Sequence, residues 1–99
     1  LINLEAASKR MPLLEKAGLA SHWAGLYEVA PDAHPIIGRV GENYFVIAGF
    51  SGHGFMHGPA SGLLLSEEIL DGKAHTLDIS SLSYARFAEG KLIKEYNVI

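Results

Sequence analysis

Two histidines four residues apart, His53 and His57, sit in Gly49-Phe50-Ser51-Gly52-His53-Gly54-Phe55-Met56-His57-Gly58-Pro59. Imidazole titrates near neutrality, so His53 is a candidate general acid or base. The plain alternative is a histidine that hydrogen-bonds its own loop. On a helix, H-x-x-x-H would put both rings on one face, the spacing of a zinc pair. Gly54 and Gly58 argue against a helix here, no glutamate follows His53, and a third ligand would have to be His34 or a distant acid, so no metal is assigned. The backbone offers a second chemistry. Bare amides at Gly52, Gly54 and Gly58 can approach a flat or charged ligand. A helix starting just beyond them would add unpaired N–H groups and a dipole that favour a phosphate, a carboxylate or a polarised ring oxygen. The spacing is neither a P-loop, since no Gly-Lys-Ser or Gly-Lys-Thr follows, nor G-x-G-x-x-G. Glycines that serve only a tight strand-to-helix turn remain the competing reading. Ser51 lacks a nucleophile elbow and an acid partner at a recognisable spacing, so serine catalysis is not read.

Elements on both sides must position this run. Tyr44-Phe45-Val46-Ile47-Ala48 is continuously apolar and predicts a strand covered on both faces. Pro59 suits a first helical position, which predicts a loop over Gly49–Gly58 and a helix from there to a stop at Gly72. Its buried face would carry Gly62, Leu65, Ser66, Ile69 and Leu70, with Glu67, Glu68 and Asp71 outward. Upstream, Asn3 can cap a first helix, Pro12 breaks or restarts it, and Pro12–Ala17 is a second helical segment closed by Gly18. His22–Val29 reads as a strand with Gly25 at a close approach. Ala30-Pro31-Asp32-Ala33 is a turn, braced by Asp32 with Arg39 or leaving those two as a surface pair. Pro35–Val40 is a short strand, Gly41-Glu42-Asn43 a turn, Asp78–Phe87 a turn with a short helix, and Lys91–Ile99 a tail. The class is α+β: N-terminal helices, short antiparallel strands, a buried strand, a Gly-rich loop and a C-terminal helix.

At 99 residues the chain is one domain or part of one, and its 48% apolar content supplies a core. A net charge of −3 without a basic cluster excludes the footprint of a nucleic-acid binder. The absence of cysteine excludes a disulfide scaffold and thiolate metal sites, and fits a reducing, cytoplasmic setting. No apolar run reaches the ~18 residues of a membrane span. The start Leu1-Ile2-Asn3-Leu4-Glu5 has no basic lead and no initiator methionine, so a piece of a longer protein is expected.

Two segments together carry a resemblance. Gly25-Leu26-Tyr27-Glu28-Val29-Ala30-Pro31-Asp32-Ala33-His34-Pro35-Ile36-Ile37-Gly38, then Phe45-Val46-Ile47-Ala48-Gly49-Phe50-Ser51-Gly52-His53-Gly54-Phe55-Met56-His57-Gly58-Pro59-Ala60, resembles the C-terminal part of the FAD-dependent amine and amino-acid oxidoreductases. That family includes sarcosine oxidase, glycine oxidase, D-amino-acid oxidase and dye-linked proline dehydrogenases. The resemblance runs from about Pro12 to Ser80. It implies that Gly52, His53, Gly54, Phe55 and Met56 line the flavin, with Gly25 nearby, and that the substrate lies near Tyr27 and His53, the implied catalytic positions. It implies a small amine or amino acid as substrate and the remainder of a parent chain as partner.

Departures from the family pattern narrow the expectation. Gly25 replaces the cysteine that bonds FAD covalently in monomeric sarcosine oxidases. Met56 replaces a lysine that helps oxygen react, which favours a dehydrogenase. Tyr27 replaces an arginine that grips the substrate carboxylate. The family's G-x-G-x-x-G Rossmann half has no counterpart here, so the 99-residue chain alone is expected to be inactive and not to retain FAD. The alternative is a small non-enzymatic α+β module that binds an anion or a protein through the glycine loop, with a second copy covering the exposed sheet.

Overall fold

The computed structural model of the protein describes residues 2–94. Helix α1 spans Ile2–Arg10, so Asn3 lies inside it rather than capping it. The helix closes with the Met11 amide on the Ala7 carbonyl at 2.8 Å. Pro12, which has no N–H to continue the ladder, restarts the chain as a 3-10 turn over Pro12–Lys16. No side chain in residues 2–29 is buried. This arm gives the molecule its elongated shape of 55 × 27 × 21 Å.

The strand expected over His22–Val29 does not form. Val29 makes a single antiparallel bridge with Phe50, and the residues before it belong to no helix or strand. A strand needs a neighbouring edge for its amides, and among the described residues this segment makes one β-bridge, at Val29. Trp23 and Leu26 are left 86% and 106% exposed. The turn at Ala30–Ala33 forms as Pro31 predicts, with the Ala33 amide on the Ala30 carbonyl at 2.9 Å.

Strands β1 (Ile36–Gly41) and β2 (Tyr44–Ala48) form a two-stranded antiparallel sheet that turns at Glu42-Asn43 and slips register between Arg39 and Gly41. Helix α2 (Gly54–Leu70) lies on one face. There Ile37, Leu64, Ala74 and Ile79 form the core, with Ile47 and Leu82 packed around it. The other face is not closed as the apolar run of β2 predicts. It opens into a groove of about 330 Å³ lined by Ile36, Val40, Tyr44, Val46 and Tyr84.

The buried stripe of α2 is Ser61, Leu64 and Glu67, not the Gly62–Leu65–Ile69 face. Glu67 turns inward because the chain after Gly72 folds back over it. Its carboxylate accepts the amides of His75 at 2.9 Å and Thr76 at 3.0 Å, and the Thr76 hydroxyl donates to it as well. A 3-10 turn at Ser80–Leu82 and helix α3 (Ala85–Ala88) complete the described fold, matching the expected turn and short helix. Residues 95–99 of the expected tail lie outside the described residues.

Candidate functional site

The expected loop is shorter than the glycines suggest. It ends at His53, the residue before α2, and Gly54 through Gly58 are already helical. The His53 amide closes on the Phe50 carbonyl at 3.0 Å and the His57 amide on the His53 carbonyl at 3.3 Å, so winding begins five residues ahead of Pro59. Pro59 sits inside the helix, where it removes one bond, to the Phe55 carbonyl. Phe55 and Pro59 both lie on the exposed side, so water can satisfy that carbonyl.

This start of α2 has no side-chain cap and no acidic residue in its first turn. Its leading amides therefore face outward with the positive end of the helix dipole behind them. Gly52 precedes it at a φ of 98°, in the left-handed region that glycine tolerates. Gly49 has a φ of 76°, and a Cβ there would stand 3.2 Å from the Ala30 Cβ, so a side chain here would be strained and crowded. Such a helix start suits a ligand edge rich in electron density.

The loop is tied from behind. Ser51 is fully buried, and its hydroxyl accepts the Ala30 amide and donates to the Gly49 carbonyl, both at 3.3 Å. The turn next to Ala30 is tied in turn by Asp32, which pairs not with Arg39 but with Arg86. Arg86 Nε lies 2.7 Å from Asp32 Oδ2, Arg86 Nη2 lies 2.9 Å from Asp32 Oδ1, and both residues are buried. The guanidinium beside it holds the Asp32 carboxyl well below the usual carboxylate range. Arg39 instead donates to the Glu42 carbonyl at 3.0 Å and lies over the Phe45 ring.

The residues implied for the site fall on two stretches joined by the Val29–Phe50 bridge. Gly52, His53, Gly54, Phe55 and Met56 run from the loop into the first turn of α2, with Phe55 100% and Met56 60% exposed. Tyr27, half exposed, stands two residues before the bridge and Gly25 four before it, on the segment that leads into Val29. His53 and His57 share the first turn, with rings stacked at 5.8 Å and 13°. Among the described residues, no group of three or more His, Asp or Glu side chains is placed to hold a metal ion.

Sequence reasoning passed over Ser51 as a non-nucleophile, gave Asp32 the wrong partner, put Glu67 on the outward face and did not single out Arg86. The one available signal was a serine where its glycine neighbours would suit the turn better. At the far end of α2, the Thr76 hydroxyl and the Thr76 and His75 amides lower Glu67 from 4.5 to about 2. His75 is raised above 6.5, first by Asp71, whose carboxylate lies 2.9 Å away, and then by Glu67.

Linkage fixes the sign of each contribution. A depressed carboxyl stabilises above its unfolded pKa and loses that effect as pH falls, from 4.5 to about 2 for Glu67. A raised imidazole stabilises below 6.5 and loses its effect as pH rises through the folded value. Protection of the His75 and Thr76 amides, corrected for intrinsic exchange, is therefore expected to peak between pH 4.5 and 6.5 and to fall on both sides. Flat protection from pH 3 to 9, read by hydrogen exchange, would contradict this.

Residues 2–68 match the model of the FAD dependent oxidoreductase family. Among curated relatives, FAD-dependent oxidoreductase domain-containing protein 1 of Xenopus laevis is 37% identical over 93 residues, covering 91% of this chain and 19% of that protein. D-amino acid dehydrogenase of Allorhizobium ampelinum is 34% identical over 76 residues, covering 76% of this chain and 18% of the relative. Mitochondrial sarcosine dehydrogenase of Homo sapiens is 30% identical over 99 residues, covering 94% and 11%. The chain thus spans about a fifth or less of the length of these relatives. No solved structure matches. With a family match over residues 2–68 that takes in both the bridge and the start of α2, the chain belongs to the FAD-dependent oxidoreductases.

Proposed function

We propose that this chain is the C-terminal portion of an FAD-dependent oxidoreductase, supplying the flavin edge and part of the pocket for a secondary amine or amino acid that is oxidised to an imine. The observation that carries the reading is the uncapped, acid-free start of α2, reached through Gly52 and set beside Val29. Relatives named D-amino acid dehydrogenase and sarcosine dehydrogenase support the substrate class and a dehydrogenase rather than an oxidase.

When bound, FAD supplies the acceptor for a hydride equivalent from the carbon next to nitrogen. The amides of Gly52–Met56 would hold its electron-rich edge. His53, half-buried at the helix start, would hold or move a proton at the substrate nitrogen, with Tyr27 lining the pocket from the segment that leads into Val29. Trp23, Leu26 and Phe55, at 86%, 106% and 100% exposure, would meet the remainder of the parent chain and keep water out.

The test uses the full-length protein. It is expected to purify with FAD and to bleach its flavin absorbance anaerobically with sarcosine, proline or a D-amino acid. A colourless full-length protein, or one that none of these bleaches, overturns the reading. The 99-residue chain alone is expected to keep no FAD in equilibrium dialysis at micromolar flavin, because the adenine and pyrophosphate contacts of such sites lie in a Rossmann half. Stoichiometric retention would show that prediction wrong.

A further inference from the structure

We propose that Ser51 is a positioning residue whose buried hydroxyl, tied to the Asp32–Arg86 turn, fixes the direction of the first amides of α2; its consequence for the flavin rests on the function proposed above. Ser51 and Ala33 have φ values of 53° and 59°, the two described non-glycine residues in the left-handed region. A side chain disfavours that conformation, and it persists where surrounding contacts over-determine it. Both residues are joined through Ala30. The Ala30 carbonyl accepts the Ala33 amide at 2.9 Å, and the Ala30 amide donates to Ser51 Oγ at 3.3 Å.

Glycine would satisfy the backbone at position 51 without cost, as it does at Gly49 and Gly52, whose φ values are 76° and 98°. Serine stands instead, with no exposed surface, and spends its hydroxyl on two partners across the loop. The side chain therefore has a purpose that the turn alone does not require. That purpose follows from the missing cap. His53, at the N-cap, makes no side-chain cap bond to the amides that follow, so the loop behind them sets their direction.

The loop is anchored to a turn that cannot drift. Asp32, adjacent to Ala33, takes two bonds from Arg86, whose Nη2 also donates to the His34 carbonyl at 2.8 Å and whose Nη1 donates to the Leu82 carbonyl at 2.9 Å. The chain of restraint thus runs from α3 through Arg86, Asp32, Ala33, Ala30 and Ser51 to the start of α2.

Ser51→Gly and Ser51→Ala in the full-length protein test this. Ser51→Gly relieves the backbone and keeps the fold, so its effects isolate the hydroxyl. Losing the two buried bonds of the hydroxyl is expected to speed amide exchange about tenfold or more in the peptide carrying Gly52–Met56 and at Ala30, in both variants. In the FAD-bound protein the midpoint potential is expected to become more negative, because amides that wander stabilise the reduced flavin less. Ser51→Gly with wild-type exchange overturns the inference, leaving serine a local turn residue. Exchange is read without flavin, so a protein that holds no FAD refutes the function proposed above and not the positioning. Faster exchange with an unmoved potential likewise supports the positioning and removes these amides from the flavin edge.

Discussion

Arg86→Met is expected to remove about 3–5 kcal/mol of folding stability, the cost of leaving a buried carboxylate without its cation. Asp32 is 1% exposed, and without Arg86 it would keep only the amides of His34 and Ile93, each at 3.3 Å. Arg86 also donates to the carbonyls of His34, Leu82 and Ser83; its removal takes that donor from His34 and Leu82, while Ser83 keeps the backbone amide of residue 86. Arg86→Lys would not rescue it, because a single ammonium cannot make the paired Nε and Nη2 contacts. Asp32→Asn combined with Arg86→Met should cost clearly less than the sum of the single changes, since the pair is then removed together. Urea unfolding of the full-length protein reads both. The carboxyl is depressed by its partner, so the wild-type advantage should be full above an ordinary aspartate pKa of about 4 and shrink as pH falls below it. Additive single and double changes would mean that the pair is not the staple joining α3 to the turn.

Local chemistry made part of this fold legible. The turn with Pro31 at its second position, the strand over Tyr44–Ala48 and the short helix around Phe87 all form where residue types place them. What failed depended on neighbours. The helical face of α2 was misassigned because Leu63, Leu64 and Leu65 are all apolar, so periodicity could not choose among them, and only contact with Ile37 selects Leu64. Glu67 faces inward because a segment eight and nine residues later brings its amides to it, which no helical wheel contains. The early start of α2 overrode the helix penalties of Gly54, Gly58 and Pro59, since tertiary docking of the stripe below outweighs propensity in the first turn. The Asp32–Arg86 pair spans 54 positions, a separation that no spacing rule reaches. The resemblance proposes the residues of the candidate site, but the setting of Gly54–Met56 on a helix turn rather than a loop was not legible.

On the proposed function, Met56→Lys is expected to speed reoxidation of the reduced enzyme by oxygen by roughly ten- to a hundredfold, with little change in the rate of reduction by substrate. Met56 is the third residue of α2 and 60% exposed in this chain, on the turn whose amides would meet the flavin edge. Oxygen gains negative charge as it accepts its first electron. A fixed ammonium in a site closed from water interacts strongly with that charge, whereas a thioether offers only a polarisable, uncharged surface. Reduction by substrate moves charge onto the flavin from the opposite partner and does not need the same cation. The variant carries its own cost, because a positive side chain in the first turn opposes the helix dipole by about 0.3–1 kcal/mol. That penalty is too small to unfold the protein, and it should show as a slightly lower thermal midpoint. Stopped-flow mixing of the reduced enzyme with oxygen decides the matter. If Met56→Lys gains nothing while losing that small stability, the side chain does not face the reacting edge. If the native enzyme already reoxidises as fast as a sarcosine oxidase, oxygen reactivity is set by other residues and the dehydrogenase reading loses this support.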